Sequence, residues 1–324
     1  MRVTHGTYGR DAVARGRPHA VTIGNFDGVH LGHPAMLARL REAAGERGIP
    51  SCVLTFEPHP REFFAPDKAP TRLTSLRETL ERLAAAGVDR VHVCRFDYDF
   101  ARMTPEAFIE RVLGRQLGAR WIIVGDDFRY GARRAGDFAL LKAAAAHGDY
   151  VVEAMPTVNV DGGRVSSTAV REALAAGELA KAARLLGRPY SISGRVVAGQ
   201  KLGRALGFPT ANVQMKHNRP ALMGIFAVEL QGVADAALPA VASLGVRPTV
   251  AREPVPVLEV HVLDAAGDWY GRHVRVDFLE KFRDEEKYAD VETLTRQIAA
   301  DVENAKNYFR RQGAKNAKER QVNR

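Results

Sequence analysis

The chain has 324 residues, 46% hydrophobic and 26% charged, with a formal net charge of +9; the length suits two domains and the composition excludes a disordered or fibrous protein. No segment has a signal-peptide apolar region or the apolar length of a membrane span, and two cysteines are too few for a disulfide framework, so a cytoplasmic protein is expected. From Arg310 onward six Lys/Arg stand against one Glu, a net of +5 that leaves +4 for the rest; this argues against a nucleic-acid-binding domain, and residues 310–324 read as a solvated, disordered tail.

Residues 1–19 hold a short edge element and a polar turn. The apolar run Ala20–Ile23 is a strand that enters the loop Gly24-Asn25-Phe26-Asp27-Gly28-Val29-His30-Leu31-Gly32-His33. A helix is expected from Pro34, with Met36, Leu37, Leu40 and Ala44 on its apolar face. Strand, glycine loop and helix bring backbone N–H groups and the positive end of a helix dipole to one place. The glycines let a polyanion approach the backbone, and His30 and His33 stand three apart there. Two imidazoles at such a spot suit a phosphate that gains negative charge during reaction, as hydrogen-bond donors. A zinc site would need more ligands than these and the isolated Cys52 and Cys94 supply; an incidental pair of loop histidines is the other alternative.

The buried run Ser51–Phe56 ends at Glu57-Pro58-His59-Pro60, where the prolines are expected to forbid further helix or central strand. Leu76, Leu80 and Leu83 mark a helix, Arg90–Phe96 a strand, and Phe108, Ile109, Val112 and Leu113 another helix. Trp121–Val124 is a strand closed by Gly125–Gly131, which contains Asp127 and Phe128; Phe138–Ala146 reads as helix and Tyr150–Ala154 as strand. This alternation predicts a parallel sheet with helices on both faces. The three unusual loops all follow strands, where the ligand crevice of such a sheet lies. Next come Ser166, Ser167 and Thr168 before a helix over Ala169–Ala175, with Arg171 one turn in. They are either an N-cap and a surface arginine or a second polyphosphate site.

A short helix over Leu179–Leu186 is broken by Gly187-Arg188-Pro189, which places the domain boundary near Gly187. Strand-like runs follow at Tyr190–Ala198, Ile225–Leu230, Ala240–Leu244, Val257–Leu263 and Val274–Leu279; short strands between Gly/Pro/Asp turns predict a closed antiparallel barrel. A helix from 290 to about 309 would pack Leu294, Ile298, Ala299 and Val302 on it. The loop Gly199–Asn212 carries Gly199, Lys201, Gly203, Arg204, Gly207 and Pro209. It is a flexible connection or a drape over phosphates, with Thr210 and Asn212 offering the oxygen ligands magnesium prefers. Glu259 alternates with Leu258, Val260 and Val262, so it points away from that apolar row, as a solvated carboxylate or as a general base at a site mouth.

Taken in order, TIGNFDGVHLGH, FEPHP, VGDDFRYG, SSTAVR, LLGRPYSISGRV, LGRALGFPTAN, GIFAV, LGVRPT, LEVHVLD, WYGRHVRVDFLEKFRDEEKY and QIAAD resemble the prokaryotic bifunctional riboflavin kinase/FAD synthetase family. The resemblance implies an α/β Rossmann-like nucleotidyltransferase domain (1–187) that transfers AMP from ATP to FMN. It implies, after that, an all-β riboflavin-kinase-type barrel with a C-terminal helix (188–309) and a basic tail (310–324). It implies that His30 and His33 stabilise the transition state at the α-phosphorus. Gly24, Asn25, Phe26, Asp27, Asp127 and Phe128 would line the ATP site, and Ser166, Ser167, Thr168 and Arg171 would bind the triphosphate and departing pyrophosphate. In the barrel, Thr210 and Asn212 would hold Mg2+ and ATP under a flap spanning Gly199–Gly207. Glu259 would deprotonate the riboflavin 5′-hydroxyl, and Arg283 and Glu286 would belong to a loop that closes over flavin. The implied partners are ATP, riboflavin and FMN, with neither nucleic acid nor membrane. Two positions depart from the family pattern: Ala198-Gly199-Gln200 replaces the common His-Gly-Asp, and Asp127 stands where many members have Asn. The rival readings are a single-activity FMN adenylyltransferase with a degenerate barrel, and a flavin-sensing or RNA-binding regulator that uses the basic tail. Intact Thr210, Asn212 and Glu259 count against the first; intact His30, His33 and Arg171 favour an enzyme over the second.

Overall fold

A computed structural model describes residues 1–6, 17–199, 202–216, 219–247 and 255–322. Two units divide the chain, one of Met1–Pro70 with Thr74–Ser167 and one of Thr71–Leu73 with Thr168–Arg324. In the first, apolar runs alternate with helices that return the chain to the same end, the connection a parallel sheet demands. Its strands are β1 (Arg2–Gly6), β2 (His19–Ile23), β3 (Ser51–Glu57), β4 (Arg90–Arg95), β5 (Ala119–Gly125), the short antiparallel pair β6 (Arg129–Tyr130) and β7 (Gly136–Asp137), and β8 (Val151–Met155). The sheet order is β1-β4-β3-β2-β5-β8, with every neighbouring pair parallel. The path reverses at β2, with β3 on one side and β5 on the other, so the loop after β2 opens at a topological switch point.

Successive residues of β2 serve opposite faces, as the period of two requires. Ala20 joins Phe26, Leu37, Leu40, Val53, Leu83 and Trp121; Val21 and Ile23 join Leu54, Phe100, Phe108, Leu113, Ile122 and Leu141. The helices are α1 (Gly32–Glu46), α2 (Pro60–Phe64), α3 (Leu76–Ala85), the short α4 (Tyr98–Ala101) and α5 (Pro105–Ala107), a π-wound segment over Phe108–Gln116, and α6 (Phe138–Ala145). Two expectations are corrected. The first helix starts at Gly32, two residues before Pro34. Pro60 opens a helix instead of blocking one, because proline at the first helical position forfeits no bond and His59 caps the turn with Glu62 in a capping box.

A hairpin of β9 (Asn159–Val160) and β10 (Gly163–Arg164) precedes α7 (Ser167–Ala175). α8 (Leu179–Leu186) ends at Gly187, whose φ of 73° is the left-handed C-cap that favours glycine. The barrel strands are β11 (Tyr190–Val197), then, after the turn α9 (Leu202–Ala205), β12 (Ala211–Gln214), β13 (Gly224–Gln231), β14 (Leu238–Arg247), β15 (Val255–Val262) and β16 (His273–Arg283). They close in the order β11-β12-β15-β14-β13-β16. β12 overlaps the end of the stretch expected as a loop, Gly199–Asn212, by Ala211 and Asn212; four residues alternating two apolar with two polar are too short a pattern to read against the preceding glycines. Ile192, Phe226, Leu244, Leu258, Val260, Val276 and Phe278 are fully or almost fully buried in the barrel.

α10 (Val291–Val322) lays Ile298, Val302, Ala305 and Phe309 against Ile225, Val241, Phe208 and Phe282. The helix therefore continues through the segment expected as a disordered tail. Ala, Lys, Arg, Glu and Gln dominate that segment and are strong helix formers, and a helix already anchored upstream needs no new nucleus.

Candidate active sites

In the first unit the loop after β2 is built by backbone conformations that few residues accept. Gly28 has φ 80°, and Phe26 and Val29 have φ of 51° and 42°. A β-branched residue at positive φ is strained by about 1–3 kcal/mol, so the surrounding bonds must fix the loop. Thr74 N donates to Asp27 Oδ1 at 3.0 Å, Gly28 N donates to Thr74 Oγ1 at 2.9 Å, and Ser167 Oγ donates to the Asp27 carbonyl at 2.9 Å. Asp27 and Phe26 are buried, so both serve the loop's shape from beneath. The Phe26 ring lies 4.8 Å from His33, and His33 lies 4.0 Å from His30, centroid to centroid. The two imidazoles thus form one packed pair at the start of α1. Its N-cap is Leu31, whose side chain offers no acceptor to the first turn.

Gly24 N donates to the Leu54 carbonyl at 3.1 Å, and Thr55 Oγ1 donates to the Asn25 carbonyl at 3.4 Å, which ties the loop to β3. After β5, Phe128 N closes a turn onto Gly125 O at 3.1 Å, and the Phe128 ring stacks on Tyr130 at 5.4 Å and 15°. Asp127 is ion-paired with Arg164 of the β9–β10 hairpin, an arrangement of this loop that sequence alone did not suggest. α2 carries a second unforeseen feature. Phe63 packs edge-on to Phe64, Phe96 and Tyr98 at 5.4, 5.4 and 4.8 Å, and Phe64 and Tyr98 remain largely exposed. Only the FEPHP motif hinted at a functional segment there. Ser166 precedes α7, whose first turn carries Ser167 and Thr168; Arg171 follows one turn on and donates from Nε to the Thr71 carbonyl at 2.6 Å.

In the second unit the barrel register composes the site. Asn212 on β12 pairs directly with Glu259 on β15, and Glu259 pairs directly with Ser243 on β14. Directly opposed residues share a face, and the buried Leu258 and Val260 flank Glu259 on the other. Asn212, Glu259 and Ser243 therefore form one row on the outer wall. Gly199 and Gly203 lie against that wall: a Cβ on Gly199 would overlap the Asn212 amide, and one on Gly203 would press on Phe208 O and Thr210. The glycines are thus required by close approach. Gly207 has φ 87°, Arg204 is exposed on α9, and Pro209 O lies 2.8 Å from His261 Nδ1. Lys201 and Gln200 lie outside the described residues. Thr210 and Asn212 present hard oxygen donors beside a carboxylate, a donor set that fits Mg2+.

Arg283 stands at the base of the loop expected to close over flavin. It forks onto Asp301 of α10 at 3.0 and 2.6 Å, with its guanidinium 5.9 Å from the Tyr288 ring. The bond to Asp301 raises the Arg283 pKa. It pins the base of the loop 284–290, within which Tyr288 OH donates to Glu286 at 3.4 Å. Ser243 and Glu285, neither singled out by sequence, also meet here; Glu285 lies in the run RDEEKY, and Ser243 immediately precedes the motif LGVRPT.

The FAD synthetase family model matches residues 13–169 and the riboflavin kinase family model matches residues 186–309. The bifunctional riboflavin kinase/FMN adenylyltransferase of Escherichia coli (strain K12) is 49% identical over 291 residues, covering 89% of this chain and 92% of the relative. The protein of the same description from Pseudomonas fluorescens is 50% identical over 281 residues, covering 87% and 90%. That from Haemophilus influenzae is 42% identical over 309 residues, covering 95% and 99%. Among solved structures, a macrolide-efflux protein from Streptococcus pneumoniae superposes with a TM-score of 0.79 at 27% identity, covering 95% of this chain and 99% of that one. Efflux belongs to that protein's description; among the described residues here, no helix is long and apolar enough to cross a membrane.

Proposed function

The chain belongs to the bifunctional riboflavin kinase/FMN adenylyltransferase family, and from that premise we propose which of its residues carry each reaction. The enzyme phosphorylates riboflavin with ATP to FMN and adenylylates FMN with ATP to FAD. The observation that carries the residue assignment is the barrel register, which sets Asn212 directly opposite Glu259 in one unit while the His30–His33 pair stands in the other.

In FAD formation a phosphate oxygen of FMN attacks the α-phosphorus of ATP, the α–β bridging P–O bond breaks, and pyrophosphate leaves. The nucleophile is already an anion and needs no base, so His30 and His33 act as donors to the charge that builds on the α-phosphate. Asn25 and the N-terminus of α1 bring backbone dipoles to the same place, and Gly24, whose N–H is bonded to the Leu54 carbonyl, lines the site with its bare Cα. Ser166, Ser167, Thr168 and Arg171 hold the triphosphate and the departing pyrophosphate. The exposed rings of Phe64 and Tyr98, with Phe128, offer stacking faces for a flat heteroaromatic ring.

In FMN formation the neutral 5′-hydroxyl of riboflavin attacks the γ-phosphorus, and the β–γ bridging P–O bond breaks to release ADP. The hydroxyl proton goes to Glu259, the carboxylate in the middle of the row. Thr210 and Asn212 would hold Mg2+, which supplies charge neutralisation on the phosphates when bound. Gly199 lies against Asn212 and Gly203 against Thr210, where bare backbone can approach the phosphates. Both cysteines are buried thiols, which supports a reducing, cytoplasmic setting.

The test is a time course with riboflavin, ATP and magnesium in which the flavins are separated by chromatography. FMN appears first and FAD follows. Conversion of supplied FMN with riboflavin left untouched would remove the barrel assignment; FMN that accumulates and is never adenylylated, even when supplied directly, would remove the first.

A further inference from the structure

We propose that Ser243 and Glu285 form a substrate-operated pair that holds the ribityl chain of riboflavin, at its 4′-hydroxyl, beside Glu259. The proposal rests on the reading of Glu259 as the base of the kinase reaction. Ser243 is the direct cross-strand neighbour of Glu259 on the outer wall, which puts their Cβ atoms about 4.5–5.5 Å apart. Ser243 Oγ donates to Glu285 Oε1 at 2.6 Å across 42 residues of chain. Glu285 belongs to the loop that follows β16, and that loop is pinned at its base by two ion pairs, Arg283 with Asp301 and Lys281 with Asp284, both at 2.6 Å. Gly245, two residues on from Ser243 and hence on the same face, is the seat of the carboxylate: a Cβ there would overlap the Glu285 carboxyl group. The wall is cut away where this side chain rests.

The chemistry of the substrate matches this arrangement. The carbon beside the nucleophilic 5′-hydroxymethyl group carries the 4′-hydroxyl, so a second polar group must stand close to the base. A serine hydroxyl next to a carboxylate both donates and accepts, and the carboxylate bond is the stronger, charge-assisted kind. In the ligand-free protein the two satisfy each other. Substrate entry exchanges that bond for two bonds to the incoming hydroxyl, so no polar group is left bare in either state.

The experiment is steady-state kinetics of the kinase step with riboflavin and with 4′-deoxyriboflavin, in the full chain and in S243A, E285A, E285Q and G245A. Gly245→Ala keeps both polar groups and only fills the carboxylate's seat. Expected is a KM for riboflavin raised roughly 10- to 100-fold in E285A and G245A, with kcat and the KM for ATP little changed. Wild type discriminates against 4′-deoxyriboflavin by a similar factor, and E285A loses that discrimination. A fall in kcat or in melting temperature with the riboflavin-to-deoxyriboflavin ratio intact overturns the proposal, as does a G245A variant with wild-type KM. Kinase turnover retained in Glu259→Gln would sink the base assignment instead, and the discrimination ratio measured in that variant would still report on Ser243 and Glu285.

Discussion

At 4.0 Å between ring centroids, His30 and His33 are within reach of one phosphate group. His30→Ala is expected to lower FAD formation by about 10²-fold or more, the loss of one transition-state donor, with FMN formation intact when the two steps are assayed separately. Glu259→Gln should abolish FMN formation and leave FAD formation from supplied FMN. A third residue governs acid stability. His92 is buried on β4 with Thr4 Oγ1 at 2.9 Å and Gln116 Nε2 at 3.2 Å, and desolvation, with a smaller contribution from His5, pushes its pKa down to about 4 from 6.5. The folded state therefore keeps it neutral, while the unfolded chain takes up a proton below the ordinary value. The His92 contribution is flat above about pH 7, falls between about pH 6.5 and 4, and levels off below. Burial lowers the His19 pKa in the same direction. Urea unfolding followed by Trp121 fluorescence in a Trp269→Phe background should show the first unit losing about 2 kcal/mol between pH 7 and pH 5 on account of His92; His92→Gln should reduce that loss.

At the scale of elements, α10 is the member whose two halves do different work. Val302, Ala305 and Phe309 are packed on the barrel, whereas Arg310–Lys315 is exposed. Deleting residues 313–324 should change the melting temperature and kinase rate little, and deleting from residue 297 should unfold the barrel, both read by thermal melting with activity. Within the same helix, Asp301→Asn leaves the half-buried Arg283 without its counter-charge and should cost about 3 kcal/mol, with a raised riboflavin KM as the loop base loosens. The sequence showed the strand–loop–helix after β2 plainly, because apolar run, glycine spacing and helix start are all local. It hid β12, whose four residues carry no readable period, and it hid the start of α2, where Pro60 reads as a breaker unless His59 is known to cap. The contact of Ser243 with Glu285 left no local trace, since 42 residues separate them and only barrel closure brings them together. The helical end of α10 was masked by charge: a basic run lacks a core-facing stripe, yet it needs none when it extends a helix already held.

For the molecule as a whole, each unit carries one complete set of proposed phosphate-handling residues for its reaction, apart from the α7 side chains that stand at the division of the chain. A mixture of the His30→Ala and Glu259→Gln proteins should therefore convert riboflavin to FAD, with a lag set by FMN released into solution, as chromatography of the flavins would show. No FAD from the mixture would mean that FMN must stay with the chain that made it. The barrel adds a consequence for how such an enzyme diversifies. Its interior is filled by Phe226, Leu244, Leu258, Val260 and Phe278, while Asn212, Glu259 and Ser243 stand on the opposite face of the same strands. Folding and chemistry are thus written on alternate residues of one ribbon. Over generations the outward letters can be respelled for a new acceptor or donor while the inward ones go on maintaining the scaffold.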